Sequence, residues 1–592
     1  MLAGAAAVLL TEALSLGGWI ERVPLAVGWL TIVAAAAVWL WRHPPQIPPL
    51  QWRPFESVIV AAIGVIVAIV AVTAWLSPPN SADAMAYHLP RVVYWAQAGS
   101  VRFFPTPYFN QICLQPINEY LMLHAYVLSG GDRWTNLLTA GAYGFAIVGV
   151  SAAARDVGLG TRGQALAALF CATLPNGILQ ASGAKNEWLL ALWMVAAIYF
   201  ARRGESVWLA LAVALALGTK ATAYLFLPPL LLVCGCRDWR TGGTEVPRRL
   251  KSAPPRAAQT LAWIAAAVLL LDGPQFVRNV QLSGNPLGYD SAQGNGVYRW
   301  RNESLGLRST MSNALRHTSE QLGDRSVRWN ARVYEAVVRA HRALGLDPQD
   351  PSTTWPGTVY GPPRNANHEA DANNRWHLLL ALGGALFAIA TRRRNVAWLC
   401  AALAAGFLLF CFYLKWQPFM ARLELPLFVL AAIPAAVLLD RLRPAIIPAV
   451  ICLFLVMNAR LPLLANWTRP LKGPASVFRV DRDTRYFADM SQWNNRESYV
   501  EAVERTARSG CLRVGIDINE NQVEYPFQAL LRERVPAVRF EHTGVENASA
   551  RYYREAPRPC AVLCLDCAGN ARRAAMYRGR VESIGRFLLF LP

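Results

Sequence analysis

The chain has 592 residues, of which 54% are hydrophobic and only 16% charged, and its mean hydropathy is +0.24. A soluble protein of this length needs a larger charged surface, so these totals exclude an ordinary water-soluble enzyme and make the bilayer the solvent for most of the chain. The net charge of +20 sits in short arginine clusters between apolar runs, a pattern that sets membrane orientation and argues against a nucleic-acid footprint.

A helix needs about 20 mostly apolar residues to cross the hydrocarbon core. Runs of roughly that order occur at 2–20, 23–41, 55–76, 134–154, 163–180, 187–201, 206–218, 221–235, 259–277, 376–391, 395–414, 424–440 and 444–463. They predict a polytopic α-helical membrane protein of about thirteen spans, with 206–235 readable as one broken element. The first run carries Glu12 and lacks both a basic start and a cleavage site, so it is expected to be a retained span. With the N-terminus in the cytoplasm, the basic clusters Arg42 to Arg53, Arg155 to Arg162, Arg202 and Arg203, Arg237 to Arg256, Arg392 to Arg394, and Arg441 with Arg443 all fall inside. That alternation satisfies the positive-inside rule. The arginine-rich usage suits a bacterial inner membrane.

The opposite side receives large loops at 78–133 and 279–375, everything after about 464, and three short turns, at Lys185 to Glu187, Thr219–Lys220 and Lys415 to Glu424. Composition changes sharply near the end of the last run. This predicts a membrane domain over 1–465 and a small extracytoplasmic α/β domain over 466–592, in which strand-like runs such as Leu512 to Ile516 alternate with helical ones. Most of the 11 cysteines lie in or beside apolar runs and read as packing residues. Cys511, Cys560, Cys564 and Cys567 fall in the C-terminal part. One or two disulfides, of open pairing, are expected there in preference to a zinc site.

The first outer loop reads Asn80-Ser-Ala-Asp-Ala-Met-Ala-Tyr-His-Leu-Pro-Arg-Val-Val-Tyr-Trp95. Asp83 closely follows a span and precedes a helix carrying Tyr87, His88, Arg91, Tyr94 and Trp95. From composition alone Asp83 reads as the N-cap of that helix. Lys185, Lys220 and Lys415 nevertheless lie on the face where lysine is less expected, with Arg278, Arg422 and Asp83. A basic cluster around one carboxylate suits an anionic headgroup such as a lipid phosphate, while Lys220 also fits a plain snorkelling anchor. His368, Glu369 and Asp371 read as a solvated loop end that closes over the site.

Asp83-Ala-Met-Ala-Tyr-His-Leu-Pro-Arg91 with Tyr94-Trp95 resembles the first-loop signature of bacterial membrane glycosyltransferases of the GT-C superfamily, relatives of the protein O-mannosyltransferases and lipid A aminoarabinose transferases. Leu179-Gln-Ala-Ser-Gly-Ala-Lys-Asn-Glu187, Gly218-Thr-Lys220, Arg278-Asn279 with Gly284-Asn-Pro286, and Lys415-Trp-Gln-Pro418 with Arg422-Leu-Glu-Leu-Pro426 agree with it, in order and on one side. The resemblance implies inverting transfer of a sugar from a polyprenyl-phosphate donor to a glycan, lipid or protein acceptor of the cell envelope, with Asp83 as the catalytic acidic residue. Such a site would draw on His88, Arg91, Lys185, Glu187, Lys220, Arg278 and Arg422 to bind substrate. Many members pair the first-loop Asp with an adjacent acid, whereas Ala82 and Ala84 flank Asp83 here, and Glu187 is the substitute second carboxylate. Metal dependence varies within the superfamily; without a paired acid no bound metal is predicted, and a divalent cation stays open. The alternatives are a transporter or flippase of polyprenyl-linked glycans, and a non-catalytic lipid-binding scaffold.

Overall fold

A computed structural model describes residues 1–44, 53–235, 253–289, 300–489, 495–519, 522–553 and 558–592. Most of the basic stretch Arg237 to Arg256, part of the cluster Arg42 to Arg53, and Cys236 lie outside the described residues.

Every apolar run of the sequence is helical. Among the described residues, six helices are long and apolar enough to cross a membrane: Arg22–Arg42, Pro54–Leu76, Thr135–Asp156, Arg394–Tyr413, Met420–Arg441 and Ile446–Leu464. A seventh crossing results if Ala257–Leu271 and Gly273–Ser283, bent by 64°, form one span. The helices Leu2–Gly17, Ser206–Leu217, Ala223–Val233 and Arg375–Ala390 are apolar but shorter, and the run 163–180 divides into Thr161–Ala172 and Pro175–Ala181 ahead of Pro175. By length and composition six or seven crossings are counted among the described residues, and the expected thirteen is not confirmed, because the shorter apolar helices fall below that length.

The faces of these helices show what surrounds them. On Pro54–Leu76, Ile59, Ile66, Val70 and Ala74 turn inward, while Val58, Val65 and Val72 stay exposed, which only a hydrocarbon surround makes favourable. Met420–Arg441 is almost entirely enclosed and packs against Arg375–Ala390, Thr161–Ala172, Glu187–Arg203 and Arg394–Tyr413. It comes close to Gly384, where any Cβ would collide with the Pro434 carbonyl. Without a strong hydrophobic drive between helices in lipid, such small-residue contacts let dispersion hold the bundle.

The last helix of the bundle, Ile446–Leu464, leads into a compact α/β unit. Its five strands are β1 (Arg513–Asp517), β2 (Arg539–His542), β3 (Ala561–Cys564), β4 (Arg580–Ile584) and β5 (Phe587–Leu591), arranged in the order β2-β1-β3-β5-β4. β1 pairs parallel with β2 and β3, and β5 pairs antiparallel with β3 and β4. Helices Arg496–Arg508 and Tyr525–Arg534 flank the sheet. Disulfides join Cys511 to Cys560, just ahead of β1 and β3, and Cys564 to Cys567 at the end of β3, so all four C-terminal cysteines are paired.

This unit rests on the first large loop through two buried carboxylates. Glu524 accepts from Tyr94 Oη (2.8 Å), Gln111 Nε2 (2.7 Å) and His542 Nε2 (2.9 Å). Asp132 accepts from Tyr486 Oη (2.5 Å), Tyr525 Oη (2.9 Å) and Arg482 Nη2 (2.6 Å). A buried carboxylate without such donors would be strongly destabilising.

Candidate active site

The loop carrying Asp83 does not begin as an ordinary helix. Ala84–His88 forms one π-helical turn and Leu89–Ala98 continues as α-helix, in which Pro90 lacks the N–H that would meet the Ala86 carbonyl. Asp83 precedes the π turn but its side chain makes no capping bond. The N-cap role expected from composition is therefore unfilled. The carboxylate instead meets Arg422, at 2.5 Å from Nη1. Gln111 Nε2 donates to the Ala86 carbonyl within the π turn (2.9 Å) and also to Glu524, so the C-terminal unit reaches the segment beside Asp83 through one side chain.

Around this pair the structure gathers three more of the expected residues. Arg422 Nε lies 4.0 Å from Glu187, and Lys220 Nζ donates to Glu187 (2.9 Å) and to Asn186 Oδ1 (2.6 Å). Glu187 opens helix Glu187–Arg203, where a carboxylate complements the helix dipole. Lys185 approaches from the same turn and pairs with Glu369 at 2.9 Å. Burial pushes the Asp83 carboxyl up, but Arg422, Lys185 and His88 outweigh it and hold the group well below the ordinary carboxylate range. Asp83 is therefore an anion, partly open to solvent, in a setting of cations.

The site is braced from behind. Arg469, fully buried, donates to Glu369 (2.5 Å), Asn80 Oδ1 (2.7 Å), Ser182 Oγ (3.1 Å) and the Leu179 carbonyl (3.0 Å). Burial raises Glu369, yet Lys185, Arg469 and His368 hold it far below its usual range. Glu369, read from sequence as a solvated loop end, is thus 2% exposed and locks the turn at Lys185 to the root of the Asp83 loop.

The remaining expected residues lie elsewhere. His88 Nδ1 is 2.5 Å from Glu119, and Arg91 donates to the carbonyls of Ile112 and Leu114 while covering Trp95, so both are engaged inside the first loop behind the π turn. Arg278 is not brought to Asp83. Its guanidinium grips Glu12 at 2.7 and 2.9 Å and the Tyr120 hydroxyl, which accounts for the one charge in the first apolar run. Lys415 turns away to Glu303 (2.5 Å) and the Pro351 carbonyl. Asn80, Arg469, Glu119 and Asn186 were not singled out from sequence. Only their proximity to the motif stretches, as for Asn186 beside Lys185, would have marked them. Among the described residues, the one trio of metal-ligating type within reach of a common ion is Asp517 with Cys564 and Cys567, and its two sulfurs are bonded to each other.

No protein-family model and no curated protein matches the chain. Among solved structures, it is similar to ArnT from Cupriavidus metallidurans bound to undecaprenyl phosphate, with a TM-score of 0.52 and 14% identity over 90% of this chain and 97% of that one. The apo state of the same protein gives a TM-score of 0.52 and 14% identity over 91% and 98%. At this identity the likeness speaks for the fold alone: the chain has the fold of ArnT along nearly its whole length.

Proposed function

We propose that the chain is an inverting glycosyltransferase that moves a sugar from a polyprenyl-phosphate donor to a cell-envelope acceptor, at the non-cytoplasmic face of a bacterial inner membrane. The observation that carries this reading is the ion pair of Asp83 with Arg422, set beside Lys220 and Lys185 at the loop end of the bundle. The ArnT likeness supports a lipid-phosphate donor, because that protein was crystallised with undecaprenyl phosphate.

The chemistry follows from the charges. An acceptor hydroxyl is a poor nucleophile and needs a positioned base, which Asp83 supplies by taking its proton as the new bond to the anomeric carbon forms. The bond from that carbon to the phosphate oxygen breaks, and the phosphate leaves with the electron pair and added negative charge. Arg422 and Lys220 are the cations placed to meet that charge. Arg422 acts on both partners of the reaction. While it grips Asp83 the carboxylate is a weak base, and an arriving phosphate competes for the same guanidinium and returns basicity to Asp83.

The transporter reading draws on Asp272, buried at the bend between Ala257–Leu271 and Gly273–Ser283 with neither carboxylate oxygen hydrogen-bonded. Broken helices with ionisable residues mark transport sites near the bilayer midplane. Asp272 packs against Gly218, and no ion pair joins it to Asp83, Glu187, Lys220 or Arg422 among the described residues. The test is a proteoliposome assay with polyprenyl-phosphate-linked sugars extracted from bacterial membranes. The enzyme reading expects release of free polyprenyl phosphate, abolished in Asp83→Asn. Lipid that crosses the bilayer intact, with no cleavage, favours the transporter.

A further inference from the structure

One charged surface has no part in the site. Helix Val327–Ala343 lies in the long loop between the bent helix pair and Arg375–Ala390. Its inner side is settled: Val333, Val337 and His341 are buried, with His341 Nε2 hydrogen-bonded to Ser312 Oγ at 2.9 Å and Val337 packed with Tyr360 and Trp416. Its outer side carries Arg328, Arg332, Arg339 and Arg342, all exposed. At 100° per residue these four fall within an arc of about 80°, in a stripe about 21 Å long. Glu335 is the one acid along it. None of the four guanidinium groups has a side-chain partner among the described residues, although Asp324 nearby is spent on Arg375.

Arg328 with Arg332 and Arg339 with Arg342 stand one turn apart, and the single Glu335 offsets only part of that repulsion, so an anion that meets the stripe is stabilising. Its place shows which anion. Next to Arg328, Trp329 lies under the guanidinium of Arg375 (4.4 Å), the first residue of the apolar helix Arg375–Ala390, and Trp376 beside it is 39% exposed. Tryptophans at the end of an apolar helix mark the level of the lipid headgroups. Val327, at the start of the stripe, is 80% exposed, as a residue entering the interface would be. We propose that Val327–Ala343 is an interfacial helix whose arginine stripe binds anionic phospholipid headgroups of the leaflet at the loop end of the bundle. Such a contact would hold the loop on the membrane beside the site without touching the reacting groups. It stands whether or not the chain is a transferase.

The test titrates the full chain in detergent with phosphatidylglycerol and with phosphatidylcholine, counting bound lipid by native mass spectrometry. The wild-type protein is expected to prefer phosphatidylglycerol. That preference should fall about fivefold for each arginine replaced in the series ending at Arg328→Gln/Arg332→Gln/Arg339→Gln/Arg342→Gln, and return when the same positions carry lysine. Melting temperature checks that the variants fold, and Arg339→Gln/Arg342→Gln alone serves if the fourfold variant does not. An unchanged preference in the glutamine variants overturns the proposal. So does stripe-dependent binding of soluble dextran sulfate with no preference for phosphatidylglycerol, which would assign the stripe to a polyanionic glycan.

Discussion

Replacing Glu369 by glutamine tests the bracing of the site most directly. The carboxylate is 2% exposed and answers two cations, Lys185 at 2.9 Å and Arg469 at 2.5 Å, whose side chains are 3% and 1% exposed. Glutamine keeps the shape and one acceptor oxygen but takes the paired carboxylate from two buried cations, leaving Lys185 only the more distant Asp83 and Glu187. Removing one partner of a buried pair costs about 3–5 kcal/mol, so Glu369→Gln should lose about 4 kcal/mol. Adding Lys185→Gln leaves a single uncompensated cation, and the double variant should recover roughly half, about 2 kcal/mol. Cys113, Cys171, Cys411 and Cys452 are buried free thiols, so a thiol-reactive fluorescent dye reports thermal unfolding in detergent. The expected melting order is wild type, then the double variant, then Glu369→Gln. A single variant that melts with the wild type, or a double variant that melts lowest, refutes the claim that Glu369 neutralises these two cations.

Three further outcomes follow from the same geometry. Lys220→Met should weaken binding of the lipid-phosphate donor about tenfold and also lower the melting temperature, because buried Glu187 then keeps only Arg422 at 4.0 Å; Lys220→Arg should restore the melting temperature, and unchanged donor binding in the methionine variant would remove Lys220 from the phosphate site. Glu524→Ala strands Tyr94, Gln111 and His542 without their acceptor, so amide hydrogen exchange across 84–98 should rise with a loss of about 1–3 kcal/mol, and unaltered exchange there would show that the C-terminal unit does not steady the Asp83 loop. The Asp83 carboxyl is depressed in the folded chain, so the stabilisation from its pair with Arg422 is fully present above the unfolded value of about 3.9 and is lost as pH falls through the lower folded value. Correspondingly, the acid limb of kcat/KM should lie below about pH 4. The limb of kcat should lie higher, once phosphate occupies Arg422; coincident limbs would deny that competition.

The sequence exposed whatever depends on local pattern. Each apolar run is a helix because in hydrocarbon a single segment can pair its backbone groups within itself only that way. Asp83, Lys185, Glu187, Lys220 and Arg422 were visible because charge beside an apolar run is costly and stands out. Pairing across hundreds of residues was not visible. Arg278 looked like a headgroup ligand until Glu12, 266 residues earlier, proved to hold it. Glu369 looked solvated because the buried position of Arg469 is fixed only by the closing of the bundle. Span number is illegible for a related reason: short helices such as Ser206–Leu217 are apolar all round whether they cross lipid or fill the protein interior.

The Glu524 junction also bears on how the protein is made. Tyr94 and Gln111 leave the ribosome early, yet the carboxylate that completes their bonding lies 430 and 413 residues downstream. A chain halted before that point presents its first loop with polar groups unanswered, so the loop is fully bonded only once the C-terminal unit has folded against it. A nascent or truncated protein thereby has the segment beside Asp83 unsteadied until the C-terminal unit is in place.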